Sequence, residues 1–358
     1  MAELKAQGIH FLAYINPYLI KDGEMYNYCK EKGYLIKNSA GEIYHIKSTT
    51  FDAGMMDLTH PDMVKYLKET IIIKNMLELG IDGYMADFGE YLPVDSVLYS
   101  SEDAKILHNE WPVIWARINR EAVNDSGREK DVFFFTRSGY NAAQKYTTIM
   151  WNGDQHTDYS YDYGMPCVIP ASINLGFSGL CATHSDVGGY ISFGSLRRDA
   201  ELFVRWMEMN TFSLLMRTHE TVRPENNAQY DDEKVIKYSV KLTNVHKLIK
   251  PYLLHCMKET ADGLPVMRAP FYEFNDMAEY KSDYVYMLGS DIFVAPVLLA
   301  GADRKKLFLP QGEWVHMFSG KSYQSGEQIV DAPLGSPAVF YRKDSEHKDL
   351  FEKVKNIN

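Results

Sequence analysis

Short apolar segments that end in polar residues recur along the first two thirds of the chain. Six of them have strand length and are rich in β-branched and aromatic residues, at 9–15, 83–88, 132–136, 148–151, 179–183 and 213–216. Amphipathic stretches separate several of these segments, with the best helical periodicity at 61–78, 103–124, 196–210 and 233–257. Pro61 opens the first of these stretches and Gly80 follows it, which is typical of helix termini. Strands that alternate with helices predict βαβ units and a parallel sheet.

The pattern changes after about residue 263. The runs "YVYMLGSDIFVAPVLL", "KKLFLPQGEWVHMF" and "SPAVFYR" have strand character, and Gly, Pro and Asp turns separate them without intervening helices. These runs predict a small antiparallel β domain, and 351–357 is predicted to be a terminal helix.

Each of the six strand segments is followed by a polar cluster. In a (β/α)₈ barrel the catalytic groups come from the C-terminal ends of several strands, so this regularity predicts an α/β fold of that type. Six such units are present rather than eight, so either the barrel is closed by another means or the chain is a truncated form of a longer protein. The expected domains are a catalytic barrel at 1–265, a C-terminal antiparallel β-sandwich at 266–345 and a helical tail at 346–358.

Composition and charge exclude several classes of function. The 358 residues carry a formal net charge of −10, which disfavours a nucleic-acid partner because binding to the phosphate backbone needs a basic face. The four cysteines lack metal spacing, and neither a metalloprotease motif nor a phosphate-binding glycine loop is present, so no metal or cofactor is expected. The early apolar stretch is cut by Asn16-Pro17 and is too short for a signal core or a membrane span, so a cytoplasmic protein without a membrane partner is expected.

Two carboxylates stand at different strand ends. Asp87 closes a strand among the small residues Gly83, Ala86 and Gly89, which leave room for a ligand, although a helix cap or a solvated loop residue is the alternative. Asp154 lies in "WNGDQ", where a turn aspartate is the alternative. Glycoside hydrolysis needs such a pair, with one carboxylate that attacks and one acid that protonates the leaving oxygen.

Other strand ends supply groups that could hold a sugar. Arg137 ends "VFFFTR", where an arginine suits a grip on a hydroxyl or a carboxylate. Glu90 could orient Asp87 or cap the next helix, and either role remains open. The other candidates are Trp151 after "TIM", Asp186 and Tyr190 in "HSDVGGY", and His219 in "MRTHE".

Together, "GYMADFGEYLP", "FFFTRSG", "QKYTTIMWNGDQ", "HSDVGGY", "MRTHE", "LPVMRAPF" and "LGSDIFVAPV" resemble glycoside hydrolase family 31 over essentially the whole chain. Within that family, "ADFGEYLP" is most similar to the form found in bacterial sulfoquinovosidases. The resemblance implies a retaining α-glycoside hydrolase that cleaves α-sulfoquinovosides, such as sulfoquinovosyl glycerol, and so takes an anionic sugar glycoside as its small-molecule partner.

The resemblance also implies roles for individual residues. The family's nucleophile falls on Asp87 and its general acid/base on Asp154, while its sugar-binding arginine and histidine fall on Arg137 and His219. Most members have phenylalanine where Tyr190 stands, and the tyrosine of sulfoquinovosidases helps to bind the sulfonate. The family's upstream arginine and tryptophan that contact the sulfonate have no counterpart here. The resemblance therefore implies an N-terminally truncated chain that holds strands three to eight of the family's TIM barrel.

Two rival interpretations remain open at this stage. An α-glucosidase or α-xylosidase of the same family would act on neutral sugars. An inactive truncated fragment would at most bind sugar. Homo-oligomerisation is left open as well.

Overall fold

The computed structural model describes residues 1–47, 51–225, 227–275 and 281–357. The chain divides into two compact units, Met1–Trp151 and Asn152–Asn358. Each unit has its own buried apolar cluster, so each is described by itself.

The first unit contains short strands and a few longer helices. Its strands are β1 (Leu12–Ile15), β2 (Tyr18–Ile20), β3 (His45–Lys47), β4 (Asp52–Met55), β5 (Gly83–Ala86), β6 (Phe133–Thr136) and β7 (Ile149–Trp151). Its helices are α1 (Ala2–Ala6), α2 (Glu24–Lys32), α3 (Pro61–Tyr66) and α4 (Ala104–Asp125).

A parallel sheet with the order β1-β5-β6-β7 forms the centre of this unit. In register, Ile15 lies beside Ala86, and Ala86 lies beside Thr136. All four residues of β5 are buried, as the apolar run predicts for a strand covered on both faces. The parallel arrangement predicted from the sequence is confirmed, and it brings the C-terminal ends of β1, β5 and β6 to one edge of the sheet.

The segment that follows β1 contains a small sheet that the sequence analysis did not predict. Strands β2, β4 and β3 pair antiparallel, with Leu19 beside Gly54 and Gly54 beside His45. Each strand has only three or four residues, which is too short for a clear alternation of polar and apolar positions. Helix α2 packs Tyr26 and Cys29 into the core beneath this sheet.

The predicted helix at 61–78 begins at Pro61, as expected. The His60 ring precedes it and accepts a hydrogen bond from the Asp62 backbone N–H at 3.2 Å. The α-helical geometry ends at Tyr66, and Leu67–Leu77 continues as a π-helix. The wider turns still bury Leu67, Ile71, Ile72, Met76 and Leu77, so the apolar face predicted from the sequence is kept.

The second unit begins with mixed α/β structure and ends in β structure. Its helices are α5 (Val168–Phe177), α6 (Ala200–Thr211), α7 (Ile236–Leu248), α8 (Lys250–Glu259) and α9 (Lys348–Phe351). Its strands are β8 (Thr183–His184), β9 (Asp186–Val187), β10 (Arg217–Thr218), β11 (Met267–Arg268), β12 (Tyr286–Leu288), β13 (Ile292–Val294), β14 (Arg304–His316), β15 (Ser322–Asp331) and β16 (Val339–Arg342).

The strand predicted at 213–216 is wrong in position. After α6 the Ser213 hydroxyl donates to the carbonyl oxygens of Asn210 and Leu215, and these bonds turn the chain before a strand can form. The strand that does form, β10, starts at Arg217 and pairs in parallel with β9. Arg217 is therefore a strand residue, and His219 follows the strand directly.

Six strands, β11 to β16, form one antiparallel sheet with the order β11-β12-β13-β16-β14-β15. One face, which includes Tyr286 and Val294, packs into the cluster formed by α6, α7 and α8. The other face, which includes Phe293, packs against Leu309 and Val330 of the β14–β15 hairpin. A bulge between Leu309 and Glu313 bends β14, so the sheet encloses a second core, and the predicted C-terminal antiparallel domain is confirmed.

Candidate active site

Asp87 follows β5 and is 6% exposed. Its Oδ1 accepts a hydrogen bond from the Phe88 backbone N–H at 2.8 Å, and its Oδ2 accepts one from the Tyr14 hydroxyl at 2.6 Å. The Asp87 backbone N–H donates to the Ile15 carbonyl at 2.9 Å, which extends the pairing of β1 with β5 by one residue. The carboxylate is therefore held at the strand end in one orientation, with donors on both oxygens.

Arg137 and Glu90 lie beside this carboxylate. The Arg137 Nη1 is 3.5 Å from Asp87 Oδ1, and the Arg137 Nε donates to Glu90 Oε1 at 2.8 Å. The guanidinium also covers the Phe88 ring, with 4.0 Å between its central carbon and the ring centroid. Because Arg137 bridges two carboxylates, its charge offsets the repulsion between them.

A strained turn connects Asp87 to Glu90. Phe88 has a φ of 58° and Gly89 a φ of 93°, in the left-handed region. At Gly89 a Cβ atom would lie 2.7 Å from the Trp115 ring, so the turn fits closely against α4. The Ser138 hydroxyl donates to the Phe88 carbonyl at 2.7 Å and fixes the turn from the other side. The small residue noted in the sequence is thus required by packing as well as by backbone conformation.

In the second unit, Asp154 is exposed in the turn 152–155. The Gln155 side-chain amide donates to the Asn152 carbonyl at 2.7 Å and closes this turn. The Gln155 carbonyl accepts from the backbone N–H groups of Tyr190 and Ile191, at 2.9 and 2.8 Å. The turn that carries Asp154 is therefore tied to the segment that carries Tyr190.

Asp186 is fully buried and forms an ion pair with Arg217. The two residues are direct neighbours in the parallel pair β9 and β10. The Arg217 Nε also donates to the His184 Nε2 at 3.3 Å. Burial, and then the Arg217 charge, lower the pKa of His184, so that the ring stays neutral and accepts this bond.

Tyr190 and His219 are in contact in this unit. Their ring centroids lie 4.8 Å apart with the rings nearly perpendicular. Burial is the main effect that lowers the pKa of His219, and the Asp154 carboxylate acts in the opposite direction. The Nδ1 of this ring donates to the Glu220 carbonyl, so the neutral imidazole presents Nε2 as an acceptor for a sugar hydroxyl.

Arg198 is a buried arginine that holds this part of the site together. Its guanidinium donates to four backbone carbonyls and to the Gln229 side chain, with distances of 2.7 Å to Ala228, 3.0 Å to His219, 3.1 Å to Gly189, 3.4 Å to Val187 and 2.8 Å to Gln229. Burial lowers its pKa to about 10, which still leaves it charged at neutral pH. The loops after β9 and β10 are thus anchored on one cation.

The first unit brings together the predicted residues Asp87, Glu90 and Arg137. The second unit brings Tyr190 and His219 into contact, while Asp186 is enclosed with Arg217. Trp151 is the last residue of β7 and is 3% exposed.

Sequence reasoning missed Tyr14 and Arg198. Tyr14 lies within a strand, so inspection of the polar residues after strands does not select it. Arg198 lies before α6, in a segment that the sequence analysis assigned to the start of the 196–210 helix.

Two negative observations apply to the described residues. No three His, Cys, Asp or Glu side chains among them are arranged to hold a metal ion. Within the same ranges, no helix combines the length and the apolar character that a membrane span requires.

The chain matches two models of known protein families. Residues 1–255 match the TIM-barrel domain of the family 31 glycosyl hydrolases, and residues 263–345 match the C-terminal domain of that family.

Two curated relatives are sulfoquinovosidases. That of Escherichia coli (strain K12) is 44% identical over 98% of this chain and 52% of its own length. That of Agrobacterium fabrum is 42% identical over 100% of this chain and 54% of its own length. The chain spans about half the length of the curated relatives it matches.

Similar solved structures include a family 31 sulfoquinovosidase from E. rectale in complex with the aza-sugar inhibitor IFGSQ. The TM-score is 0.96 at 44% identity, over 99% of this chain and 54% of that one. An α-xylosidase from a soil metagenome, complexed with xylose, has a TM-score of 0.82 at 26% identity, over 98% of this chain and 55% of that one. From the two matched domains and these relatives, we conclude that the chain belongs to glycoside hydrolase family 31.

Proposed function

We propose that the chain carries catalytic residues of a retaining α-glycoside hydrolase that cleaves α-sulfoquinovosides and releases sulfoquinovose. The observation that carries the proposal is Asp87, a buried carboxylate with donors on both oxygens at the C-terminal end of a parallel strand. Identities of 44% and 42% to two sulfoquinovosidases over nearly the whole chain support the choice of substrate class.

The proposed reaction has two steps. Asp87 attacks the anomeric carbon while Asp154 gives its proton to the leaving oxygen, and a covalent glycosyl-enzyme forms. Asp154 then removes a proton from water, which attacks the same carbon and releases the Asp87 carboxylate. The hydrogen bonds to both oxygens fix the direction of the Asp87 carboxylate, which suits a group that must approach the anomeric carbon along one line.

Tyr190 is the proposed selectivity residue for the sulfonate. A phenolic hydroxyl can donate to a sulfonate oxygen, whereas a phenylalanine at the same place could only pack. Arg137 and His219 are proposed to bind sugar hydroxyls, with further contributions from Glu90, Trp151 and Asp186. In the proposed division of the chain, 1–265 is catalytic, 266–345 is the β-sandwich and 346–358 is the tail.

Hydrolysis of an aryl α-sulfoquinovoside and of the matching aryl α-glucoside tests the proposal. We expect higher kcat/KM for the sulfoquinovoside, with the α-anomer as the first sugar product detected by NMR. A preference for the glucoside would instead support a family 31 enzyme for neutral sugars, as in the α-xylosidase of Lactiplantibacillus pentosus, a relative at 28% identity.

Two matched variants separate catalysis from folding. Asp87→Asn is expected to abolish turnover, while Asp82→Asn changes an acid just before the same strand, at its opposite end, where it accepts from the Phe11 backbone N–H at 2.9 Å. In barrel enzymes the C-terminal strand ends carry the chemistry and the opposite ends serve stability, so Asp82→Asn should retain activity. Equal loss in both variants, or a folded chain that hydrolyses neither glycoside, would refute the proposed function.

A further inference from the structure

The Tyr14 hydroxyl is the group that contacts Asp87 from β1. Its oxygen lies 2.6 Å from Asp87 Oδ2, a short distance typical of a hydroxyl that donates to a carboxylate. The Asn16 side-chain amide donates to the same hydroxyl oxygen at 3.0 Å. Because the Asn16 amide occupies an acceptor lone pair, the Tyr14 proton is left to point at Asp87.

The tyrosine remains a donor over the whole range in which a glycosidase works. Burial and the adjacent Asp87 carboxylate raise the pKa of Tyr14 above its usual value, although the residue is 52% exposed overall. The Tyr14 hydroxyl therefore stays protonated and donates a hydrogen bond to Asp87 as a neutral group.

Arg137 does not duplicate this contact. Its guanidinium is nearer to Glu90, where Nε donates at 2.8 Å, than to Asp87, where Nη1 lies at 3.5 Å on the other oxygen. The Glu90 carboxylate thus offsets much of the Arg137 charge. The Tyr14 hydroxyl, at 2.6 Å, is consequently closer to the Asp87 carboxylate than the Arg137 Nη1 at 3.5 Å.

We propose that Tyr14 is a further catalytic residue, which stabilises the Asp87 carboxylate when it departs from the sugar in the second step. This inference rests on the proposed function. In that step water attacks the anomeric carbon, the bond from this carbon to the Asp87 oxygen breaks, and the electron pair stays on Asp87. A donor at Oδ2 stabilises the returning negative charge and so makes Asp87 a better leaving group.

The same hydrogen bond has the opposite effect on the first step. A carboxylate that accepts a strong hydrogen bond is a weaker nucleophile, so loss of Tyr14 should leave attack on the sugar almost unchanged or slightly faster. Loss of Tyr14 should therefore slow breakdown of the glycosyl-enzyme selectively, and the intermediate should accumulate.

Tyr14→Phe tests this inference because it removes the hydroxyl and keeps the ring. With an aryl α-sulfoquinovoside that has a good leaving group, we expect kcat to fall about tenfold or more, as for the loss of a hydrogen bond to a charged group. The value of kcat/KM, which reports steps up to formation of the intermediate, should change less than about threefold. Rapid mixing should show a burst of nearly one equivalent of phenol, and intact mass should show the glycosylated chain during turnover.

Tyr44→Phe is the matched control. The Tyr44 hydroxyl also donates to a carboxylate in the first unit, at 2.9 Å to Asp95 Oδ1, and does not contact Asp87. It should show neither a burst nor an accumulated adduct, and thermal unfolding of both variants should match that of the wild type.

If kcat and kcat/KM fall equally in Tyr14→Phe and no burst is seen, the proposed role of Tyr14 is wrong. The proposed function would still stand in that case, because the wild type is active. Absence of turnover by the folded wild type would overturn the proposed function and this inference with it.

Discussion

At the scale of single residues, Asp87 shows how a charge is kept at a buried position. An ionised carboxylate loses hydration when it is buried, and hydrogen bonds or an opposite charge must replace it. Here the Phe88 backbone and the Tyr14 hydroxyl each donate to one oxygen, and Arg137 lies close to Oδ1. The arrangement fixes the direction of the Asp87 carboxylate, which suits the proposed attack on an anomeric carbon.

Tyr190→Phe is the residue-scale prediction for substrate choice. Loss of a hydrogen bond to an anionic group should lower kcat/KM for the aryl α-sulfoquinovoside by about tenfold to a hundredfold. The aryl α-glucoside carries no sulfonate, so its kcat/KM should stay within about twofold. Steady-state kinetics on both substrates measure the effect. An equal fall in kcat/KM for both would show that Tyr190 does not select for the sulfonate.

Sequence reasoning reached Asp87, Glu90 and Arg137 because each follows an apolar strand. It could not reach Tyr14, whose contact with Asp87 depends on the register of β1 against β5, where Tyr14 lies beside Met85. A shift of that register by one residue would place Tyr14 on the opposite face, and local sequence does not specify the pairing.

At the scale of elements, the turn at Gly89 links strand β5 to the residues of the proposed active site. Gly89→Ala combines a strained φ with contact between the new methyl group and the Trp115 ring. Gly127→Ala is the matched control, because Gly127 also has a positive φ, of 69°, but open space around its Cβ position.

We expect Gly89→Ala to lower the free energy of unfolding by about 2 kcal/mol more than Gly127→Ala, since overpacking adds to the shared backbone strain. Only Gly89→Ala should also reduce kcat, because it displaces the turn between Asp87 and Glu90. Chemical denaturation and steady-state kinetics measure the two effects, and equal stability losses would show that the contact with Trp115 is not restrictive.

Arg198 acts on the loops that carry Tyr190 and His219. Arg198→Lys keeps the charge, but a single ammonium group cannot reach the carbonyls of Gly189, His219 and Ala228 together. We expect the ratio of kcat/KM for sulfoquinovoside over glucoside to fall about tenfold, because the Tyr190 loop loses its anchor.

Arg205→Lys is the control for this prediction. Arg205 is equally buried in the same unit and bonds Glu208 and the Ala302 carbonyl rather than the loops after β9 and β10. Arg205→Lys should lower the melting temperature and leave the ratio of kcat/KM for sulfoquinovoside over glucoside within about twofold.

The double variant with Tyr190→Phe and Arg198→Lys tests whether Arg198 acts through Tyr190. If the double variant shows the product of both single effects on this ratio, the two residues act independently and Arg198 does not act through Tyr190.

At the scale of the whole molecule, the sequence pattern predicted the two main types of sheet in the fold. Parallel strands with buried interiors and the antiparallel C-terminal sheet both appear where apolar runs and turn residues indicated them. The sheet of β2, β3 and β4 was missed because its strands are short, and β10 was misplaced because Ser213 turns the chain. Long, regular patterns thus predicted the architecture, whereas short strands and the hydrogen bonds of one side chain explain the local exceptions.

His316 provides a prediction for the pH dependence of stability. Burial lowers its pKa to about 4, and its ring lies 3.1 Å from both the Pro337 carbonyl and the Ser319 backbone N–H. The neutral ring donates to the first and accepts from the second, and protonation would place two donors against each other.

Because the folded-state pKa of His316 is below the ordinary value near 6.5, the unfolded chain binds the proton first. Stability from this residue is complete above pH 6.5 and is lost as the pH falls toward about 4, by on the order of 3 kcal/mol. Chemical denaturation at several pH values in this range gives the free energy of unfolding as a function of pH. This dependence should be shallower for His316→Gln than for the wild type. It should be unchanged for His255→Gln, because His255 is exposed. A wild-type slope in His316→Gln would contradict this assignment.

Covalent labelling of the nucleophile is the most direct test of the proposed mechanism. The wild-type chain would be incubated with a fluorinated α-sulfoquinovosyl fluoride, which forms the glycosyl-enzyme faster than it is hydrolysed, and then digested for peptide mass mapping. We predict that one equivalent of sugar attaches to Asp87 and that none attaches to the Asp87→Asn variant. Labelling of a different residue, or no labelling of the folded wild-type chain, would contradict it.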